Sequence, residues 1–302
     1  MWSQWYLGPV ESLGPVTNLE MTLSSYPQSS WQGRLQLTYA RQGNQTQIRD
    51  ALAQAPLKVQ LPFYPEGLEV CHTVLLHTAG GMVGGDRLQF DLQLQPHTRA
   101  LLTTAAAAKI YRSKGLEATQ TLQIHIAAGG ILEWLPQETI VFDQALYRQD
   151  VRVDLEPSAH WLGWEITRFG RSARGEKFVQ GNWRSHTEVW QNQQPLWIDR
   201  QWLPGNSDCF HSPHGLAGCP VTGSFAWVGQ AVEPDLVAEA RSVWQGDRAS
   251  AEVGVTRLQQ GLLCRYRGTS TLEARHWFMA VWQLIRISYL GRPICIPRVW
   301  PI

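Results

Sequence analysis

Apolar and polar residues alternate with a period of two along much of this chain. Leu35, Leu37 and Tyr39 alternate with Gln36 and Thr38, and Leu88, Phe90, Leu92 and Leu94 with Gln89, Asp91, Gln93 and Gln95. Leu122, Ile124 and Ile126 alternate with Gln123 and His125, and Val151, Val153 and Leu155 with Arg152 and Asp154. Successive side chains of an extended chain point to opposite faces, so each run predicts a strand with one buried face and one wet face. Gly43-Asn44, Gly80-Gly81, Gly84-Gly85, Gly129-Gly130 and Pro204-Gly205 interrupt the runs at short intervals. Many short strands between glycine-rich turns predict a mainly β protein.

Two segments read as helices, both in the last third of the chain. Pro234 to Gln245 opens with proline in the first turn and gathers Leu236, Val237, Ala240, Val243 and Trp244 on one face. Thr271 to Leu290, with Thr271 as its cap, places Trp277, Phe278, Val281, Trp282 and Ile285 at helical spacing before Gly291 and Pro293 stop it. That stripe is wider than docking on a β framework needs. Trp277, Phe278 and Trp282 are therefore expected to contribute to a partner-binding surface.

Composition narrows the field. The 302 residues include 26 Lys+Arg and 25 Asp+Glu, a formal net charge of +1, with no run of like charge. A nucleic-acid footprint would show as a clustered basic surface. The five cysteines are odd in number and scattered, which does not make a disulfide framework. Met1-Trp2-Ser3-Gln4-Trp5 has no basic start or apolar stretch, and Ala100 to Ala108 falls far short of a membrane span. A reduced, soluble, cytoplasmic protein is expected. The 15 tryptophans imply a broad aromatic core.

Motif chemistry gives no recognisable active site. The segment His77 to Asp86, HTAGGMVGGD, has no Gly-Lys-Ser/Thr ending, and Met82 stands where a dinucleotide fingerprint needs glycine. It reads instead as a tight turn requiring positive φ at several glycines, with Asp86 fixed beside it. Cys209, His211, His214 and Cys219 offer four possible metal ligands in eleven residues, but match no structural-zinc spacing and read as a loop. Glu133, Glu138, Asp143, Glu165 and Glu176 are scattered, and spacing alone pairs none of them.

A set of ordered blocks adds to this reading. Ala55 to Val59; His77 to Arg87; Thr103-Thr104 with Lys109-Ile110-Tyr111-Arg112; Leu132 to Phe142 (LEWLPQETIVF); Gly170-Arg171 with Arg174-Gly175-Glu176; and Pro297-Arg298-Val299-Trp300 together resemble the UreD (UreH) family of urease accessory proteins. The resemblance runs from about residue 31 to 302 as one domain and leaves residues 1–30 unassigned.

The resemblance implies a β-helical arrangement of many strands with two α-helices in the C-terminal third. It also implies a non-enzymatic scaffold that binds a UreF-type protein, a UreG-type GTPase and apo-urease, and passes nickel towards the urease active site. No cofactor is held tightly, and nickel is cargo in transit. Passage of a divalent cation needs weak oxygen acceptors in succession. Asp86, Glu138, Asp143, Glu165 and Glu176, each in or beside one of these blocks, are the expected metal contacts. Two other classes stay open on the residues alone: a metal-dependent hydrolase on a β scaffold, and a structural β protein with an unrelated partner.

Overall fold

A computed structural model describes residues 30–247 and 249–300; the N-terminal residues on which the leader reading rests lie outside them. Seventeen strands form two sheets and a short third ladder. β1 (Gln32–Gln42) and β2 (Gln45–Gln54) form a hairpin, and β3 (Leu57–Val59) leads into β4 (Val70–His77). From there the chain coils between the sheets. β5 (Arg87–Leu94), β8 (Ala118–Ile126), β11 (Leu146–Leu155) and β13 (Asn182–Gln191) lie in one sheet; β4, β6 (Arg99–Thr104), β9 (Ile131–Trp134) and β12 (His160–Phe169) lie in the other. Neighbours within each set are parallel.

β7 (Ala108–Ile110) and β10 (Thr139–Val141) make the third side, with β10 parallel both to β7 and to the end of β12. Each coil repeats the same backbone bonds, so equivalent side chains stack. Met82, Ile110, Val141 and Phe169 form one such column, each at most 2% exposed. The mainly β, β-helical expectation holds.

Antiparallel strands close the far end of the coil. β14 (Gln194–Pro204) pairs with β13, while β15 (Val221–Val228), β17 (Gly261–Gly268) and β16 (Ala251–Leu258) extend the sheet beyond β12. The seven-stranded sheet runs β14-β13-β11-β8-β5-β1-β2, and the larger one β16-β17-β15-β12-β9-β6-β4-β3.

Three α-helices lie among the described residues. α1 (Ser207–His211) is a single turn inside the Cys/His segment, capped by the Asn206 side chain. α2 (Pro234–Ser242) stops short of Gln245. α3 (Thr271–Ile285) starts one residue earlier in its capping than the sequence suggests: Ser270, not Thr271, accepts the Glu273 N–H at 3.2 Å. A π-helical turn, Arg286–Leu290, follows and ends at left-handed Gly291.

The molecule has two apolar cores. One fills the gap between the sheets and includes Leu92, Leu122, Ile124, Leu132 and Val153. The other lies between the outer face of the larger sheet and α2, α3 and the C-terminal segment. Trp164 is central there, with ring centroids 6.3 Å from Phe278, 6.2 Å from Trp282 and 5.3 Å from Trp300. Two of the indole N–H groups here are paired: Trp277 donates to the Ala240 carbonyl at 3.0 Å and Trp300 to Thr103 at 2.8 Å.

The expected exposed stripe on α3 is therefore corrected. Trp277, Phe278 and Trp282 are 2%, 0% and 0% exposed, because the outer face of the larger sheet needs a complete apolar cover. Apolar groups on the wet side of α3 and beyond are Leu272, Ile287 and Ile296. A Trp277→Ala protein is expected to lose about 3–5 kcal/mol of folding stability, read as a lowered urea midpoint with unchanged slope; a change below about 0.5 kcal/mol would mean that this side chain is not core.

Candidate functional site

Polar side chains enter the gap between the sheets at matched positions. On the seven-stranded sheet, Gln120 of β8 is in register with Gln149 of β11, which is in register with Ser185 of β13, itself opposite Gln201 of β14. On the larger sheet, Glu165 of β12 is opposite Ser224 of β15, which is opposite Arg265 of β17. Each falls on the inward phase of its strand, among apolar residues; Gln149, Ser185 and Ser224 are buried and need partners inside, as does the desolvated Glu165 carboxyl, while Gln120, Gln201 and Arg265 are partly exposed.

The two rows bond to one another. Gln120 donates to Gln149 at 3.1 Å, and Tyr147 donates to the same Gln149 oxygen at 3.2 Å. Ser185 and Thr167 donate to Glu165 at 2.7 and 3.2 Å. Gln201 donates to Asp199 at 2.8 Å and to Ser224 at 3.3 Å. Arg265 donates to Ser224 at 2.7 Å and to Asp199 at 2.6 Å.

Two spaces adjoin this file. An apolar-walled cavity of about 420 Å³ has buried Met82, Leu88 and Phe90 in its wall, exposed Ala106, Ala108 and Lys109 at its mouth, and Gln120 among its lining residues. A second, of about 30 Å³, is lined by Gln149, Glu165, Thr187, Asp199 and Ser224, space for about a water or two. The Gln120–Gln149 hydrogen bond joins the lining of one to the lining of the other. The first also holds His77, whose Nε2 has no partner among the described residues. Burial pushes the His77 pKa down, with Asp86 opposing, so its imidazole stays neutral near pH 7.

Desolvation between the sheets pushes the Glu165 carboxyl up to about 6. Asp199 adds to the shift, while hydrogen bonds from Ser185 and Thr167 and the charge of Arg265 oppose it. Glu165 and Asp199 are the two carboxylates that line the smaller space, and carboxylate oxygen is a hard ligand type.

The other four expected carboxylates occupy different settings. Asp86, Asp143 and Glu176 precede β5, β11 and β13, at the corner where the coil enters the seven-stranded sheet. Asp86 accepts the Trp31 and Val83 N–H groups, each at 2.8 Å, beside Gly80, Gly81 and Gly85 at positive φ. Asp143 accepts the Val179 and Gln180 N–H groups, each at 2.8 Å. Glu176 accepts the Asp143 N–H at 3.2 Å and pairs with Arg171 at 2.9 Å; Arg171 and the Asp143 N–H hold its pKa low despite partial burial. Glu138 pairs with Arg275 of α3. The structure thus brings Asp143 and Glu176 together at one turn, with Asp86, Glu138 and Glu165 each apart from them.

The Cys/His segment is ordered rather than loose. Arg267 donates to the Pro213 and Gly215 carbonyls, each at 2.7 Å. Among the described residues it does not gather three of its four possible ligands within reach of one another.

The chain matches known proteins over most of its length. The family model described as UreD urease accessory protein matches residues 32–301. This chain belongs to the UreD family. A "Urease accessory protein UreD" of Nostoc punctiforme is 62% identical over 282 residues, covering 93% of this chain and all of the relative. Proteins of the same name from Acaryochloris marina and a Synechocystis species are 62% and 44% identical, over 91% and 86% of this chain and 96% of each relative. A UreD chain is an accessory protein of urease, and the UreD blocks noted above fall largely on the coil's turns. The interior row is not visible in those blocks. Its signal in the sequence is a polar residue in an apolar phase: Gln149 in line with Tyr147, Val151 and Val153, and Asp199 and Gln201 in line with Trp197 and Leu203.

Two outcomes follow. Replacing Asp86 by Ala leaves two backbone donors without their carboxylate, an expected loss of about 3 kcal/mol; equal urea midpoints for variant and parent would show that the turn holds without it. For Glu165, a folded pKa of about 6 against a reference of 4.5 means that the folded state binds the proton more tightly. Its contribution is most favourable below pH 4.5, is lost as pH rises to about 6, and is constant above. Relative to the parent, Glu165→Gln should therefore gain about 2 kcal/mol between pH 4.5 and pH 7, measured by urea unfolding at both; a flat difference would place Glu165 in water.

Proposed function

We propose that this chain is the nickel-transfer subunit of urease maturation. It binds a UreF-type protein, a UreG-type GTPase and apo-urease in the cytoplasm, contributes no catalysis of its own, and conducts nickel through the gap between its sheets. The observation that carries this reading is the continuous polar file from the His77 cavity through Gln120 and Gln149 to the space lined by Glu165 and Asp199.

The file suits a cation in passage. A single imidazole and scattered amide oxygens hold a divalent ion only in passing because no closed ligand set surrounds it, and the two carboxylates add attraction by charge at the narrow end. Arg265, already committed to Asp199 and Ser224, offsets one of the two carboxylate charges and keeps that end from becoming a trap. Glu165 binds the ion only when ionised, so conduction falls as pH drops through about 6. Asp86, Asp143, Glu138 and Glu176 enter as the carboxylates that set the turns and α3 around the file, and contact nickel only where an ion displaces a present partner.

The test is reconstituted urease activation with the UreF-type and UreG-type partners and nickel. Gln149→Leu keeps the side-chain size and removes the polar link, so activation should fall at least about tenfold, while capture of the partners and the melting temperature stay near the parent's. Full activation by a folded Gln149→Leu protein would overturn the interior route.

A further inference from the structure

The outer face of the larger sheet carries a second group of chemistry-bearing side chains, unrelated to the interior file. His72 of β4 points to the side opposite Cys71 and Thr73, which face the gap between the sheets. It meets Glu66 from the β3–β4 connection at 2.6 Å and Cys295 from the C-terminal segment. One ligating atom from each of Glu66, His72 and Cys295 lies within 4.8 Å of the other two. Ligand atoms around one tetrahedral zinc-like ion sit about 3.3–3.8 Å apart, so closing on an ion needs shifts of about an ångström or less.

We propose that Glu66, His72 and Cys295 form a site for a borderline-soft divalent cation of the zinc, cobalt and nickel class. Three observations carry it. The donor set is one carboxylate, one imidazole and one thiol, a mixture that suits such ions better than calcium or magnesium. The His72 side chain is 1% exposed and sets its Nε2 2.6 Å from the Glu66 carboxylate, so a ligating nitrogen already stands beside a ligating oxygen, away from bulk water.

Charge is the third. Arg286 donates to Glu133 at 2.9 Å and to Glu66 at 3.0 Å, so one guanidinium faces two carboxylates. Glu66 and Glu133 thus outnumber Arg286 by one negative charge, an excess that a cation at Glu66 would relieve. Burial raises the Cys295 pKa, so the thiol proton must leave to solvent as the metal–sulfur bond forms, and binding strengthens with pH. Cys295 is only half-buried. The ion therefore keeps an open side for water or an exchanging ligand, as a labile site requires.

The site joins β4 to a segment more than two hundred positions away in the chain, so occupancy should hold the C-terminal segment down. Its test needs neither urease nor the interior file. The full chain, reduced, is titrated with cobalt(II) alone, and the near-ultraviolet thiolate-to-cobalt band and the melting temperature are followed. One equivalent should give the band and raise the melting temperature in the parent, in Glu165→Gln, and in a Cys209→Ser/Cys219→Ser protein. Cys295→Ser, a near-isosteric change at a half-exposed position, should fold but lose the band, and Glu66→Gln should weaken binding at least about tenfold. A band that survives in Cys295→Ser, or none in the parent at saturating cobalt, would overturn the site. Loss in Glu165→Gln with retention in Cys295→Ser would also overturn it, by moving the metal to the interior.

Discussion

Parallel stacking in register is the constraint from which the rest of this structure follows. Because each coil repeats the backbone bonds of the one before, a side chain at a given position lies directly over its equivalents. An apolar column such as Met82, Ile110, Val141 and Phe169 then packs against itself. A one-residue slip in any strand would turn its inward set outward. The same rule governs polar residues. Once Gln149 is admitted to an inward column, its partners are Gln120 beside it in that column and Tyr147 two residues back on the same strand face. Across the gap Glu165 is met by Ser185 for the same reason. The interior polar file is a product of register, not of any local motif.

The two sheets differ in what covers them, and this decides how legible each was. The seven-stranded sheet has one face in the core and one largely in water, so β1, β5, β8 and β11 carry the alternation that predicts strands. The larger sheet is covered on both faces, by the first core inside and by α2, α3 and the C-terminal segment outside. Its strands β4, β9 and β15 are buried at nearly every position, so period-two reading passes over them. The same cover explains the tryptophans. Trp164 on the sheet and Trp282 on the helix fill a layer whose existence alternation alone does not announce. The apolar stripe of α3 looked too wide only because its partner sheet was not visible.

The carboxylates divide along similar lines. Asp86, Asp143 and Glu176 stand beside glycine-rich blocks, and the blocks draw attention to them. What they do there is accept backbone N–H groups at the coil's corners, where parallel strands must turn without a hairpin. Glu165 was found for its proximity to such a block, yet its inward phase is what sets it apart. Asp199, Ser224 and Arg265, its interior companions, lie outside every block. They come together only through β14, β15 and β17, which close the far end of the coil and bring residues distant in the chain into one cluster.

Both faces of the larger sheet hold the same imbalance, two carboxylates to one guanidinium: Glu165 and Asp199 with Arg265 inside, Glu66 and Glu133 with Arg286 outside. A buried ion pair that serves stability alone gains most when its charges cancel, because each uncompensated charge carries its own desolvation cost. An excess of one negative charge can be relieved by a proton or by a metal ion, and pH decides between them. Inside, the proton leaves Glu165 at about pH 6, so near neutrality the interior is ionised and open to a cation. Outside, at the proposed site, the Cys295 thiol beside Glu66 and His72 is a donor that would favour a metal ion. The imbalance costs folding free energy on both faces, and a cation that bound the folded chain alone would offset that cost.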